Sequence, residues 1–469
     1  MEQLLQGDYE VRLFEFWLLT SSVHSVLLPS EAPPQQNNDV NIHMPFVPLP
    51  PELWKIIIGF ATESYPAPLS IHNMVSSDSF SSPILTDHQS FLLYRQSLRY
   101  KLKCSCVSRS WRSISTQYLF ETVWIKSQSQ AKKLAQELHR DNAVGRDLAG
   151  CVGWWVRSIF IDANHLDGST EIDIITKCPR LVRYRNMRQG VATSHSAALT
   201  KLFPHTSEPT TFNSVIIHRE PVKLLDWTDC HRRCFNQFFQ FETQLIASRL
   251  SRLECLILKS PPGMVTQDYG SQHPSFPLYL PSLKMLRVLG LEELAQTLSW
   301  EMPSLKMVSM TSLCCQDEDP VATHSKAFLD VHGCKIEELE ISDNFPLYDL
   351  DMNVVCPNVH TLRLSPNKFA RWSLPVFRKC RVKHLLLLDT EKWLSGRGLN
   401  SWSLALEQFP CLETVQDVSW ESHQVRCRAL HRRGTDEAAH YITFWEAWKL
   451  ILVSRGVQLL GWDGKVITM

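Results

Sequence analysis

Two similar stretches, LPSLKMLRV (Leu280–Val288) and MPSLKMVSM (Met302–Met310), decide the fold of this chain. After a turn that contains Pro, each has an apolar residue, two others, an apolar residue, one other and a further apolar residue. Apolar residues that alternate in this way are typical of a short strand with one buried face. The two units begin at Leu283 and Leu305, 22 residues apart, so the sequence predicts a repeated strand.

The same unit returns along most of the chain, at intervals of 22 to 41 residues. Leucine-rich repeats of about 20 to 29 residues carry this L-x-x-L-x-L pattern, and stacked units bury one continuous apolar face. The shorter intervals fit directly, and the longer ones fit with insertions. The units begin at Val156, Leu181, Phe212, Leu253, Leu283, Leu305, Ile336, Val359, Val382 and Leu412.

Residues 120–469 are therefore predicted to form an irregular leucine-rich-repeat solenoid, with short parallel strands joined by helices or loops. The array is expected to be irregular because the Asn that usually follows each strand is mostly missing. The stretch ITFWEAWKLILVSRGVQLLGW, from Ile442 to Trp462, predicts a helix and a last strand that cap the open end. The alternative interpretation is a different α/β fold with ordinary strands.

The N-terminal part of the chain has a different, helical pattern. In LPPELWKIIIGFA (Leu49–Ala61), two prolines and Glu52 suit a helix start, and apolar residues then recur at helical spacing. Helical patterning returns after a Ser- and Pro-rich stretch, predicted to be an inserted loop at about 62–90. The residues predicted to share one face there are Leu98, Leu102, Val107, Trp111 and Ile114.

Composition limits the possible functions. Lys plus Arg equals Asp plus Glu, 48 each, whereas a general nucleic-acid binder needs a basic face. The start of the chain lacks the basic region of a signal peptide, and no stretch has the roughly 18 uncharged apolar residues that span a bilayer. We expect a cytoplasmic or nuclear protein with reduced cysteines. Residues 1–47, which begin with a short amphipathic stretch and continue from residue 28 with Pro, Gln and Asn, are predicted to be poorly ordered.

No catalytic motif is found, so no enzymatic activity and no cofactor are predicted. His423, Cys427 and His431 have a spacing that would align them on a helix, but a fourth metal ligand is not apparent and arginines crowd them. Cys230 and Cys234 lack a second cysteine pair. No metal site is therefore predicted. The basic stretch from Arg95 to Arg112 is interpreted as an amphipathic helix rather than a nucleic-acid-binding patch.

The motif Leu49-Pro50-x-Glu52-Leu53 with its Ile-rich helix, together with CSCVSRSWRSIS (Cys104–Ser115), resembles an F-box domain. The resemblance covers residues 48–119, broken by the predicted loop. With the repeats, the layout is similar to the large sets of F-box proteins with irregular leucine-rich repeats in mushroom-forming fungi.

The resemblance implies a substrate-recognition subunit of a Skp–cullin–F-box ubiquitin ligase, with an unknown target protein. The residues it implies for contact with the Skp-type adaptor are Leu49, Pro50, Leu53, Ile57, Val107 and Trp111. Val107 and Trp111 either contribute to that contact or hold the helices together. The target would bind the concave strand face or the loops of the repeats.

Two other functions stay open at this stage. The first is an interaction scaffold whose degenerate F-box no longer binds an adaptor, an interpretation favoured by the predicted loop. The second is an enzyme with an unrecognised site in an α/β fold, which would show as a deep pocket with convergent titratable groups.

Overall fold

The computed structural model gives the fold for most of the helices and strands of the chain. The residues that it describes are 50–62, 87–143, 151–163, 166–186, 202, 210–212, 215–217, 222–228, 250–259, 277–289, 294, 297–310, 319–341, 351–364, 380–388, 406–418, 436–461, 464 and 466–467. The segment predicted at 1–47 lies outside them, as does most of the loop predicted at 62–90. The last residues of that loop are helical instead.

The centre of the structure is a twelve-stranded parallel sheet, in which neighbouring strands follow one another along the chain. Two further strands, β4 and β5, form a separate antiparallel pair. The strands are β1 Thr122–Ile125, β2 Ser158–Ile161, β3 Arg183–Asn186, β4 Thr210–Phe212, β5 Val215–Ile217, β6 Leu224–Thr228, β7 Cys255–Lys259, β8 Met285–Leu289, β9 Met307–Met310, β10 Glu338–Ile341, β11 Thr361–Leu364, β12 His384–Leu387, β13 Thr414–Asp417 and β14 Gln458–Leu460.

The predicted repeat positions match the strands. Nine of the ten predicted units begin two residues before a strand of the sheet, as Leu283 does before β8. Because consecutive parallel strands pair at equal register, equivalent residues of neighbouring units lie side by side, as Leu339, Leu362 and Leu385 do. The structure therefore confirms an α/β fold with a sheet built by repetition.

The unit predicted from Phe212 is wrong. Phe212 ends β4, which pairs with β5 outside the main sheet, and the strand that continues the sheet is β6. The same apolar spacing occurs at Val222, Leu225 and Trp227, and Val222 and Leu225 are buried. Two similar patterns, at 212–217 and 222–227, lie ten residues apart, and local pattern alone does not distinguish them.

One face of each strand of the main sheet contributes to a single core. Side chains alternate between the two faces of a strand, and the first face is almost wholly aliphatic and buried. Leu339 and Ile341 of β10, for example, are 0% exposed. A four-residue strand cannot bury these side chains alone, so each unit depends on its neighbours for stability. At about 25 cal/mol per Å² of apolar area, this shared burial is the dominant favourable contribution.

Helices accompany the strands and close the far end of the sheet. They are α1 Pro51–Thr62, α2 Asp87–Ser105, α3 Arg109–Glu121, α4 Gln128–Ala143, α5 Val152–Trp155, α6 Gly168–Thr176, α7 Asp319–His332, α8 Met352–Val355 and α9 Asp436–Val453. The helix and last strand predicted at the C-terminus are α9 and β14. Trp445, Trp448 and Leu452 of α9 are buried in the main core, as a cap requires. None of the described helices is long and apolar enough to cross a membrane.

Two glycines make different backbone demands. A Cβ at Gly333 would lie 2.2 Å from the carbonyl oxygen of Val355 and 2.9 Å from Sγ of Cys356, in the next unit. Gly456 has open space around it but a φ of 71°, after the last turn of α9. There the amide of Val457 donates to the carbonyl of Leu452, as in a Schellman cap.

Gly333→Ala is expected to lower the free energy of unfolding by about 2 kcal/mol or more, because two repeat units must move apart. Gly456→Ala is expected to cost about 1 kcal/mol, because only the positive φ is strained. Urea unfolding midpoints measure both. Equal losses in the two variants would contradict the close approach between units.

His332 gives the fold an acid sensitivity. Burial lowers its pKa to about 4, and Lys335, whose Nζ lies 3.5 Å from Nδ1, acts in the same direction. The unfolded chain, with a pKa near 6.5, therefore binds the proton more tightly than the folded chain. Stability is full above pH 6.5 and falls as the pH is lowered towards 4.

Between pH 7 and pH 5, this residue is expected to remove up to about 2 kcal/mol of unfolding free energy. His332→Leu fills the same buried position without a titratable group and should lose less over that interval. Urea unfolding at the two pH values makes the comparison, and identical losses in the two proteins would refute the assignment.

Candidate functional site

Helix α1 has two apolar faces, one of which packs against other described residues. Ile58 is fully buried, and Trp54, one turn earlier, is partly buried beside it. On the other face, Leu53, Ile56 and Ile57 are 44%, 53% and 42% exposed. Three neighbouring aliphatic side chains on one helix face, open to solvent, are unusual unless they bind a partner.

Helix α3 holds α1 in place from the buried side. The rings of Trp54 and Trp111 have centroids 4.7 Å apart, and the hydroxyl of Tyr118 donates to the carbonyl of Lys55 at 2.8 Å. Trp111, predicted as an adaptor contact or a packing residue, is half-buried and packs against α1. Its contact brings the first turn of α3 next to the first turn of α1.

The turn between α2 and α3 adds a further exposed apolar side chain. Val107 is 63% exposed, and its amide donates to the carbonyl of Cys104. Ser108 then caps α3, because its hydroxyl accepts from the amide of Trp111 at 3.1 Å. The sequence predicts Val107 as an adaptor contact or as a residue that holds the helices together, and its exposure argues against the second role.

We define the docking surface as Leu53, Ile56, Ile57 and Val107. Leu53, Ile57 and Val107 were predicted from the sequence, whereas Ile56 was missed, although its spacing places it on the same helix face. Pro50 is exposed beside the surface, and its carbonyl accepts from the amide of Leu53 at 3.0 Å. Leu49 lies outside the described residues.

No protein-family model matches the chain, and no curated protein and no solved structure is significantly similar to it. The functional argument therefore depends on the geometry of the chain itself.

An aromatic cluster fixes α2 to the beginning of the sheet. Trp124 of β1 stacks on Phe160 of β2, with centroids 4.7 Å apart and rings 5° from parallel. Phe91 and Tyr94 of α2 lie over them, with centroids 5.1 Å and 5.7 Å from that of Trp124. Since α3 also runs directly into β1 and packs on α1, the helices that carry the docking surface are connected to the repeats by packed contacts.

The second face of the sheet is not an open binding surface. Among the described side chains of β1 to β13, none on this face is exposed. An apolar patch occupies β6 to β9, and charged or polar residues occupy many of the other positions. The described strands offer only buried or half-buried side chains on this face, and the expectation that a target binds the strand face stays a prediction.

Several charges on this face are paired, which lowers the cost of burying them. Arg363, only 1% exposed, lies 3.2 Å from Glu338, and Glu340 accepts a hydrogen bond from Ser309 at 2.9 Å. Burial raises the pKa of Glu338, while Arg363 opposes that rise. Burial, with Arg185 nearby, lowers the pKa of Arg183 to about 10. These contacts hold adjacent strands together.

The edge where the strands begin is charged and accessible. Glu254 bridges Lys223 and Lys284 at 2.9 Å and 3.0 Å, and Lys383 contacts Glu413 at 2.7 Å. Each residue immediately precedes a strand, so the pairs run from one repeat to the next. Such exposed pairs contribute little stability, but they present polar side chains along the repeats.

A small cavity opens between two repeats, lined by Met352, Cys356, Leu362 and Cys380 among others. Burial raises the pKa of both thiols to about 12, so they stay protonated and are weak nucleophiles near pH 7. The described residues contain no group of His, Cys, Asp or Glu suited to a metal ion. His423, Cys427, His431, Cys230 and Cys234 lie outside them.

Trp124→Ala should loosen α2 from the sheet and cost about 3 kcal/mol, because a buried ring contacts three other aromatic residues. Hydrogen exchange of α2 should then become faster relative to that of β8 and β9. Val107→Ala, at an exposed position, is the control and should leave exchange unchanged. Unaltered protection of α2 in Trp124→Ala would show that the cluster does not join the two parts.

Proposed function

We propose that this chain is a protein–protein interaction adaptor: an F-box-like unit on a leucine-rich-repeat solenoid, acting as substrate receptor of a Skp–cullin–F-box ubiquitin ligase. In this proposal, α1 to α3 are the F-box-like unit and bind a Skp-type adaptor. The observation that carries the proposal is the exposed apolar face of Leu53, Ile56 and Ile57 on a helix whose Trp54 packs on Trp111, four residues after the exposed Val107. The proposal places the protein in the cytoplasm or nucleus.

The docking surface suits helix-in-groove binding. Residues at i, i+3 and i+4 of a helix anchor it in an apolar groove, and Leu53, Ile56 and Ile57 have this spacing. They are already held in place by the buried contacts of Trp54 and Ile58, so little ordering cost accompanies binding. Burying most of one such side chain contributes about 1 to 2 kcal/mol, enough for three or four anchors to form a specific contact.

The role of the repeats would be to position a target, without chemistry of their own. Because Trp124 and Phe160 join the helices to the sheet, a target held by the repeats keeps a fixed distance and orientation to the adaptor. Such tethering raises the effective concentration of target near the ubiquitin donor. The second face of the sheet is buried, so we place target contacts at the sheet edges.

Two other functions make different predictions. An interaction scaffold would keep the repeats but bind no Skp-type adaptor. An enzyme would need an open pocket with convergent titratable groups, whereas the small cavity at Cys356 and Cys380 offers two protonated thiols. A binding measurement with the adaptor distinguishes the scaffold, which would not bind it, from the proposed ligase receptor, which would.

The full chain should co-purify with a Skp-type adaptor. The Leu53→Asp/Ile57→Asp variant should retain at most about 10% of the adaptor that the unaltered chain retains. Two buried carboxylates in an apolar contact would cost several kcal/mol. Binding is measured by pull-down and by titration calorimetry.

Leu450→Asp/Val453→Asp is the matched control, since both residues are apolar, exposed and on α9, far along the chain from α1. It should retain full binding, and circular dichroism should show both variants folded. Failure of the unaltered chain to bind the adaptor would refute the ligase proposal and favour the interaction scaffold. Equal loss in the two variants would refute the assigned surface.

A further inference from the structure

The helices that carry the docking surface are basic, although the whole chain is neutral. Within α1, α2 and α3, seven Lys and Arg stand against three Asp and Glu, a formal charge of +4; the sequence between α1 and α2 adds Glu63 and Asp78 and brings it to +2. Over the full sequence the two classes balance at 48 each. The excess of positive charge is therefore local, and it coincides with the exposed apolar side chains.

Three of these cations lie within five residues of Val107 along the chain. Lys103 is in the last turn of α2, and Arg109 and Arg112 are in the first turn of α3; all three are exposed. Two of them interact with other described residues. Nε of Arg112 donates to the carbonyl of Ser105 at 3.3 Å, and Nζ of Lys103 lies 5.8 Å from the centroid of the Tyr100 ring. No described carboxylate pairs with any of the three.

The placement of Arg109 and Arg112 runs against the needs of the helix. The N-terminus of a helix carries partial positive charge, so acidic residues stabilise it and basic ones do not. The first turn of α3 has no acidic residue, although Ser108 provides a regular cap. A local choice that disfavours the fold, beside an exposed apolar surface, indicates selection for binding.

We propose that the docking surface receives an acidic partner: a protein face with an aliphatic centre and carboxylates around it. This inference rests on the proposed function in one respect, the docking surface that both use. It adds that the partner carries negative charge. Leu53, Ile56, Ile57 and Val107 supply the apolar contact. Lys103, Arg109 and Arg112 accelerate encounter and exclude basic competitors.

The phosphate backbone of a nucleic acid would also be attracted by three cations. The four aliphatic side chains between and beside them do not stack on bases, which is the interaction that single strands require. A folded protein face satisfies both the apolar and the cationic parts of the surface, so we favour it.

The test uses the full chain and two designed helical peptides with the same leucine face, one flanked by glutamates and the other by lysines. Fluorescence anisotropy should show the acidic peptide binding at least about tenfold more tightly, with the difference shrinking as salt rises from about 50 to about 500 mM. Double-stranded DNA of random sequence is a third probe and should bind more weakly than the acidic peptide.

Arg109→Glu/Arg112→Glu should bind the acidic peptide on the order of tenfold more weakly without losing thermal stability, because the new carboxylates suit the start of α3. Arg109→Glu alone keeps the Arg112 contact and should show a smaller loss. The control is Arg252→Glu/Arg381→Glu, an equal charge change at exposed positions of the repeats, which should leave binding unchanged.

Equal binding of the two peptides, binding of neither, or tighter binding of DNA would each overturn the inference. A parallel titration with a Skp-type adaptor separates the two proposals. If the adaptor binds with no effect of salt or of Arg109→Glu, the proposed function stands and the acidic partner fails. If only the acidic peptide binds, the inference stands and the ligase role fails.

Discussion

A four-residue strand with two or three aliphatic side chains cannot bury them by itself. The structure depends on the burial of these side chains between neighbouring units. Each strand pairs in parallel with the next at equal register, so Leu339, Leu362 and Leu385 form a continuous row. The ends of such a row need a cover. Helix α9, with buried Trp445 and Trp448, covers the last repeats, and α2 and α3 lie at the first.

The cover at the first repeats also carries the candidate site. Trp124 and Phe160 pack beneath Phe91 and Tyr94, so α2 covers the beginning of the sheet. Helix α3 continues into β1 and packs on α1, which carries most of the docking surface. Burial of the second sheet face moves the search for a target site to the sheet edges.

The sequence predicted the strands well because the constraint on them is local and repeated: nine apolar patterns of one kind could hardly be accidental. It failed at Phe212, where a similar pattern at Val222 lay close by and only pairing with β3 and β7 decides between them. It predicted that Leu53 and Ile57 lie on one face of α1 but not whether that face is buried. A core face and a docking face have the same helical spacing of apolar residues. Exposure of Val107 and the packing of Trp111 on Trp54 depend on how three helices meet. No local pattern records that arrangement, and burial of the second sheet face likewise depends on contacts distant in sequence.

The central claim is that α1 and the turn at Val107 form the contact with a Skp-type adaptor, while the repeats stay free for a target. Hydrogen exchange of the full chain, with and without saturating adaptor, tests it most directly. Slower exchange confined to α1, the turn after α2 and the first turn of α3 is the predicted result. Unchanged exchange there, or protection spread over β7 to β13, would contradict the account.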